Sequence, residues 1–144
     1  MRLLNQLSIP RALSLFPTRA LDANCQASDA VGDCVYITGA KVGELYQVTK
    51  ADPLDGATKM PAIGILVEKL DSVTCKVQVT GTLEGVVSGL TPGKVVFVSS
   101  SGVVGHTLAT PGPGSYAYIQ SMGVALDTGA ILVIPDFSII KRVG

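Results

Sequence analysis

An all-β domain is the fold the sequence predicts. Three observations point there: short apolar runs that alternate with period two, glycines and prolines that punctuate them, and a doubled pattern with a period of roughly sixty residues. The domain is expected to span residues 29–144, with helix in only a few short turns. An extended N-terminal arm over residues 1–28 precedes it.

The arm differs from everything after it. Ser8-Ile9-Pro10-Arg11-Ala12-Leu13-Ser14-Leu15-Phe16-Pro17 holds two prolines and no helix-length periodicity. Each proline fixes φ, removes a donor and pushes its predecessor toward extended geometry. Yet Leu3, Leu4, Leu7, Ile9, Leu13, Leu15 and Phe16 are too apolar for a free tail, so the segment is expected to become ordered against another chain. An edge strand of the same domain is the alternative. Fully extended, the arm would reach on the order of 90 Å.

In the body, Val31-Gly32-Asp33-Cys34-Val35-Tyr36-Ile37-Thr38 is answered by Pro92-Gly93-Lys94-Val95-Val96-Phe97-Val98-Ser99, and Ala62-Ile63-Gly64-Ile65-Leu66 by Ser121-Met122-Gly123-Val124-Ala125-Leu126. A further strand follows each second block, Thr74–Thr80 and then Ala130–Ile134. β-Branched and aromatic residues fill these runs, as strands require. Cys75, Val77 and Val79 alternate with Lys76, Gln78 and Thr80, the pattern of a half-buried strand. Hairpin connections are expected between Gly39 and Gly43 and at Ser99–Gly102, a turn at Ser88–Gly93 and a loop at Pro111–Ser115. Glycine weakens a strand interior, so Gly64 and Gly123 are expected at bulges or close backbone crossings, in matching places, with Gly32 matching Gly93. Val95, Val96, Phe97 and Val98 are apolar on both faces, which predicts a central strand or an oligomer interface.

Composition narrows the function. Apolar residues make up 47% of the chain and charged ones 15%, below the usual ~25%, which excludes a disordered tail and hints at surface covered by a partner. No apolar run nears the ~20 residues that span a bilayer. The net charge is zero but uneven: Arg2, Arg11 and Arg19 stand alone in residues 1–21, eleven acids face six lysines in residues 22–140, and Lys141 and Arg142 close the chain. Such a distribution lacks the concentrated basic face of a nucleic-acid binder and fits basic ends that dock on an acidic neighbour. Three cysteines at irregular spacing, without a nearby histidine, make a zinc site unexpected; Cys34 and Cys75 read as small buried hydrophobes. With Pro10, Arg11 and Pro17 breaking up the start, no secretory signal is expected, and the chain is read as made in a reducing cytosol.

Catalytic groupings are sparse. His106 has no acid nearby in sequence, and Ser99-Ser100-Ser101 before Gly102 reads as a turn rather than as nucleophiles. Pro111-Gly112-Pro113-Gly114 lacks the lysine and the amide donors of a phosphate loop. Asp52, Asp55, Glu68 and Asp71 do not follow calcium-loop spacing and read as solvated loop acids. No catalytic residue, cofactor or metal is therefore expected.

Several blocks together resemble a known group. Gly32-Asp33-Cys34-Val35-Tyr36, Tyr46-Gln47-Val48-Thr49-Lys50-Ala51-Asp52, Met60-Pro61-Ala62-Ile63-Gly64-Ile65, Val77–Gly85, Gly89-Leu90-Thr91-Pro92-Gly93 and Ile119–Ala125 resemble small virion proteins of tailed bacteriophages, namely capsid decoration (cement) proteins and related head or tail modules. The resemblance covers roughly residues 28–135. It implies a compact β-barrel of the tulip type, a homotrimer seated where major capsid protein subunits meet, and a role in stabilising the shell without catalysis. It also implies a place on the virion's capsid surface after synthesis in the host cytoplasm, with neither nucleic acid nor membrane as partner. The arm, through Arg2, Leu3, Leu4, Leu7, Ile9, Arg11, Leu13, Leu15, Phe16 and Arg19, is the expected docking element. A fibre- or tail-associated module and a small ligand-binding or hydrolytic barrel are the alternatives.

Overall fold

The computed structural model describes residues 17–144 and finds eleven strands there, with helix confined to short turns at Pro53–Asp55 and Gly56–Lys59. In chain order the strands are β1 (Arg19–Asn24), β2 (Cys34–Val42), β3 (Leu45–Lys50), β4 (Ala62–Lys69), β5 (Thr74–Glu84), β6 (Val95–Val98), β7 (Val104–Gly105), β8 (Tyr116–Ile119), β9 (Ser121–Asp127), β10 (Ala130–Val133) and β11 (Ile140–Val143). Nine of them form one sheet in the order β1-β3-β2-β4-β5-β10-β9-β6-β7, while β8 and β11 pair separately. The all-β expectation holds. Hairpin turns fall where glycine and serine marked them, at Gly43 between β2 and β3 and at Ser99–Gly102 between β6 and β7.

The repeat is a property of the backbone. Without β1, the sheet reads β3-β2-β4-β5 and then β10-β9-β6-β7, one half reversed against the other. Val35 pairs with Gly64 as Val96 pairs with Gly123. In each half the next pairing skips one residue, to Tyr36–Ala62 and Phe97–Ser121, so Ile63 and Met122 are equivalent bulged residues. The Gly32 amide donates to the Leu66 carbonyl at 2.8 Å, and the Gly93 amide to the Ala125 carbonyl at 2.7 Å. The return bonds match as well: Leu66 N–H to Asp33 O at 2.8 Å, Ala125 N–H to Lys94 O at 2.9 Å. Gly32 and Gly93 both have positive φ, +100° and +83°, which a residue with a Cβ resists. The halves join through the antiparallel pair β5–β10, from Gly81–Val133 to Glu84–Ala130, which is the arrangement of a pseudo-two-fold axis.

The domain as a whole is not a clear barrel. Closure occurs in the pairing of the first half alone: β1 runs antiparallel to β5 from Arg19–Thr80 to Asn24–Thr74, and Ala23 and Asn24 also pair in parallel with Tyr46 and Gln47 of β3. The sequence β1-β3-β2-β4-β5 thereby returns to β1 as a five-stranded ring. The second half has no counterpart of β1 among the described residues and stays open at β7. Residues 19–24 therefore belong to the sheet, which corrects the arm's expected boundary at 28; Arg19 is a strand residue. Leu21-Asp22-Ala23-Asn24-Cys25 alternates apolar and polar, and Ala23 and Cys25 are buried in the core. The other arm residues, Arg2, Leu3, Leu4, Leu7, Ile9, Arg11, Leu13, Leu15 and Phe16, lie outside the described residues.

Two cores result. One fills the ring with Ala23, Cys25, Val35, Val48, Leu66, Cys75 and Val77. The other lies between the halves and includes Cys34, Ile65, Leu83, Val96, Val98, Met122, Ile131 and Val133. Strands β2 and β4 serve both, Cys34 and Ile65 facing one core and Val35 and Leu66 the other, which is why these runs are apolar at consecutive positions. A side-chain amide ties the halves together: Gln120, 1% exposed, accepts from Ala62 N–H and donates to Ala62 C=O, both at 2.8 Å. Replacing Gln120 with Leu leaves two backbone groups dry and unpaired, and unfolding in urea is expected to show a loss of about 1–3 kcal/mol. An unchanged midpoint would show that these bonds contribute nothing net.

Candidate functional site: the open mouth of the ring

The strands of the ring all place alternate residues toward its interior, and the series runs out at one end. Ala23, Val35, Val48 and Val77 are buried, while the next inward positions toward that end, Leu21, Ile37, Tyr46 and Val79, are only partly covered; Ile37 is 42% exposed. The segment after β10 adds a lip of Ile134, Pro135 and Phe137, with Phe137 61% exposed. With Ile63 these side chains line a groove of about 480 Å³. Hydroxyls enter the lining only through Tyr46 and Thr80, and that of Thr80 already donates to the Pro17 carbonyl at 2.8 Å. No charged side chain borders it among the described residues. The groove therefore suits apolar side chains and offers no counter-charge to an ionic ligand.

The polar residues serve the backbone. Thr91 N–H donates to His106 Nε2, and His106 Nδ1–H donates to the Val95 carbonyl, both at 2.8 Å. Both ring nitrogens thus hold the turn before β6, and neither is aimed at a nucleophile. Ser99 and Ser101 face each other at 3.0 Å in their hairpin. Buried Asp29 accepts from Gln26 N–H, Lys50 N–H and the Thr49 hydroxyl, and Asp33 from Ala30 N–H, with Lys50 Nζ 3.4 Å from its carboxylate. Asp29 borders a cleft of about 400 Å³ with Lys50, Lys59, Asp52 and Ser100, and three donors already engage both of its carboxylate oxygens.

The loop acids stay apart in role. Asp52 accepts from Leu54 N–H, Asp55 meets Thr58 and Lys59, and Asp71 takes Val73 and Thr74 amides at 2.9 and 2.7 Å. Those two amides hold the Asp71 carboxyl below its ordinary range. Among the described residues no three metal-ligating side chains converge. All three cysteines are free and buried, and burial, reinforced by the Asp33 charge, pushes the Cys34 thiol up to about 12.

The expected oligomer strand divides. Val96 and Val98 are fully inside the domain's own core, because alternation along β6 turns them there, and only Val95 and Phe97 point the other way. Their burial corrects the interface expectation for Val96 and Val98. More apolar surface lies on the two-stranded β8–β11 sheet, where Tyr116, Ile140 and Val143 are exposed and Lys141 Nζ sits 3.7 Å from the Tyr116 ring centroid. The mouth itself was not anticipated, since its residues come from separate parts of the chain. Comparison with known proteins supplies no relative: no protein-family model, curated protein or solved structure matches the chain.

Proposed function

We propose that the protein is a structural component of a tailed-phage virion that binds the capsid shell as a decoration protein and stabilises it without catalysis. The observation that carries this reading is the placing of its apolar and polar groups. The buried aspartates and the histidine are occupied in holding loops, while Phe137, Ile140, Val143, Tyr116 and Val95 stand exposed. Exposed apolar side chains on the β8–β11 pair, on β6 and at the mouth of the ring fit a surface that is covered by partners. The basic groups Lys141 and Arg142 on β11, with Arg2 and Arg11 toward the start, add attraction to an acidic neighbour. A homotrimer using Val95 and Phe97 belongs to the same reading, and several arms on one shell would gain by multivalency.

The test uses particles stripped of the protein. Full-length protein is expected to rebind them and raise the temperature at which they open, and the chain lacking residues 1–9 is expected to keep its own melting temperature while its retention falls sharply. Retention should weaken with salt. Failure of the full chain to bind any such particle overturns the reading.

A further inference from the structure

We propose that Cys25 and Cys75 are a redox latch, a dithiol that small-molecule disulfides convert into an intrachain disulfide fastening β1 to β5. Three observations lead there, and none rests on the virion reading. First, strand pairing sets the two thiols on one face. Ala23 lies opposite Cys75, and just beyond the end of β1 the Cys25 amide donates to the Val73 carbonyl at 2.8 Å. Side chains alternate along a strand, so Cys25 and Cys75 are diagonal neighbours facing inward. Both belong to the ring's core, and their side chains touch. Second, the third free cysteine, Cys34, faces the other core, so this pair is singled out. Third, the turn that follows Cys25 is anchored beside Cys75. Lys69 of β4 is the register partner of Cys75, and its ammonium donates to the carbonyls of Gln26, Ala27 and Asp29 at 3.3, 3.2 and 2.8 Å. The two thiols are thus held in register by backbone and side chain together.

Cys25 is 5% exposed and Cys75 fully enclosed, so an external reagent meets Cys25 first. With oxidised glutathione as oxidant, the deprotonated Cys25 sulfur attacks one sulfur of the reagent, forming a mixed disulfide and releasing one glutathione thiolate. The Cys75 sulfur, deprotonated in turn, attacks the Cys25 sulfur and releases the second glutathione thiolate. The two protons go to the glutathione thiolates, and the two electrons lost by the protein reduce the glutathione disulfide. Burial, the Cys25 thiol and the Asp29 charge disfavour the Cys75 thiolate, while the Lys69 ammonium favours it, so the latch sets slowly. Reduced glutathione in excess keeps it open. Once made, the bond closes a loop that holds β2, β3 and β4, and it constrains the unfolded chain more than the folded one.

The experiment uses the purified full chain, incubated natively with oxidised glutathione and then alkylated in denaturant. Of the three thiols only Cys34 is expected to take the alkylating reagent. Cleavage at aspartates separates Cys25 from Cys34, through Asp29 and Asp33, and mass spectrometry of the fragments should find Cys25 joined to Cys75. The oxidised chain should unfold at a higher urea concentration than the reduced chain, and dithiothreitol should restore the lower midpoint. Cys34→Ala should still form the bond. Fragment mapping of the parent protein decides the matter whether or not that variant folds. Three thiols left free, oxidation that stops at the glutathione adduct, or a bond that involves Cys34 or a second chain overturns the proposal. A urea midpoint unmoved by the bond overturns it as well.

Discussion

Valine at Gly123 is expected to cost the domain about 3 kcal/mol or more, well beyond the ~1 kcal/mol of an ordinary glycine replacement. Two effects coincide at this site. Its φ of +138° is one that L residues rarely adopt, and a Cβ would collide with the Leu132 carbonyl oxygen on β10. Gly64→Val should be comparably severe through collision alone, since its Cβ would strike the Gln78 carbonyl oxygen and come within 2.9 Å of Val77 Cγ1. Gln78 and Leu132 are equivalent residues of the two halves, so one constraint is imposed twice: the strand after each bulge passes too close to its neighbour for any side chain. Gly39 is the control, because a methyl group there would meet nothing within 4 Å and its φ is not positive, and Gly39→Ala should be near neutral. Urea unfolding of the three variants checks this. Wild-type midpoints for Gly64→Val and Gly123→Val would refute the close-approach account.

The second large effect is alkaline. The Cys34 thiol is raised from 9.0 to about 12, chiefly by burial and then by the Asp33 charge, with Lys50 opposing. Above pH 9 the unfolded chain loses this proton while the folded chain retains it. The thiol's contribution is therefore intact below pH 9 and falls away as pH rises toward 12. Across that window the loss is on the order of 4 kcal/mol for this one group, against a total stability of about 5–15 kcal/mol. Cys75 is raised in the same direction, by burial first and then by its contact with Cys25. Free energies of unfolding measured from neutral to strongly alkaline pH should decline steeply, and Cys34→Ala should flatten the decline. A parallel profile in that variant would place the alkaline sensitivity elsewhere.

Much of the fold was legible because it is written locally. Alternation at Cys75–Thr80, the turns at Gly43 and Gly102, and the paired glycines each need only a few adjacent residues to be recognised. β1 was equally local, and the alternation of Leu21 through Cys25 is as clean as that of β5; the prolines upstream drew the whole segment into an arm. The pairings that join distant strands were not legible. Nothing near Gly81 names Val133 as its partner, and nothing in Leu21 announces that Ile37, Tyr46 and Phe137 will gather beside it. The double apolarity of Val95–Val98 was visible but ambiguous, because a strand with one face in the core and one outside can carry valine on both. His106 was visible as a lone histidine, yet its role lies in two backbone groups, which a sequence of side chains does not display.

The placing of β1 has a mechanical consequence. A pull applied along the axis of β1 acts on a strand that lies alongside β5 over six paired positions and touches β3 at its far end. A pull in that direction stresses the interstrand hydrogen bonds in shear, so they must yield together. A peeling pull would break them one after another. The ring closure that completes the fold's first half thus also spreads tension on β1 over the whole length of its pairing with β5.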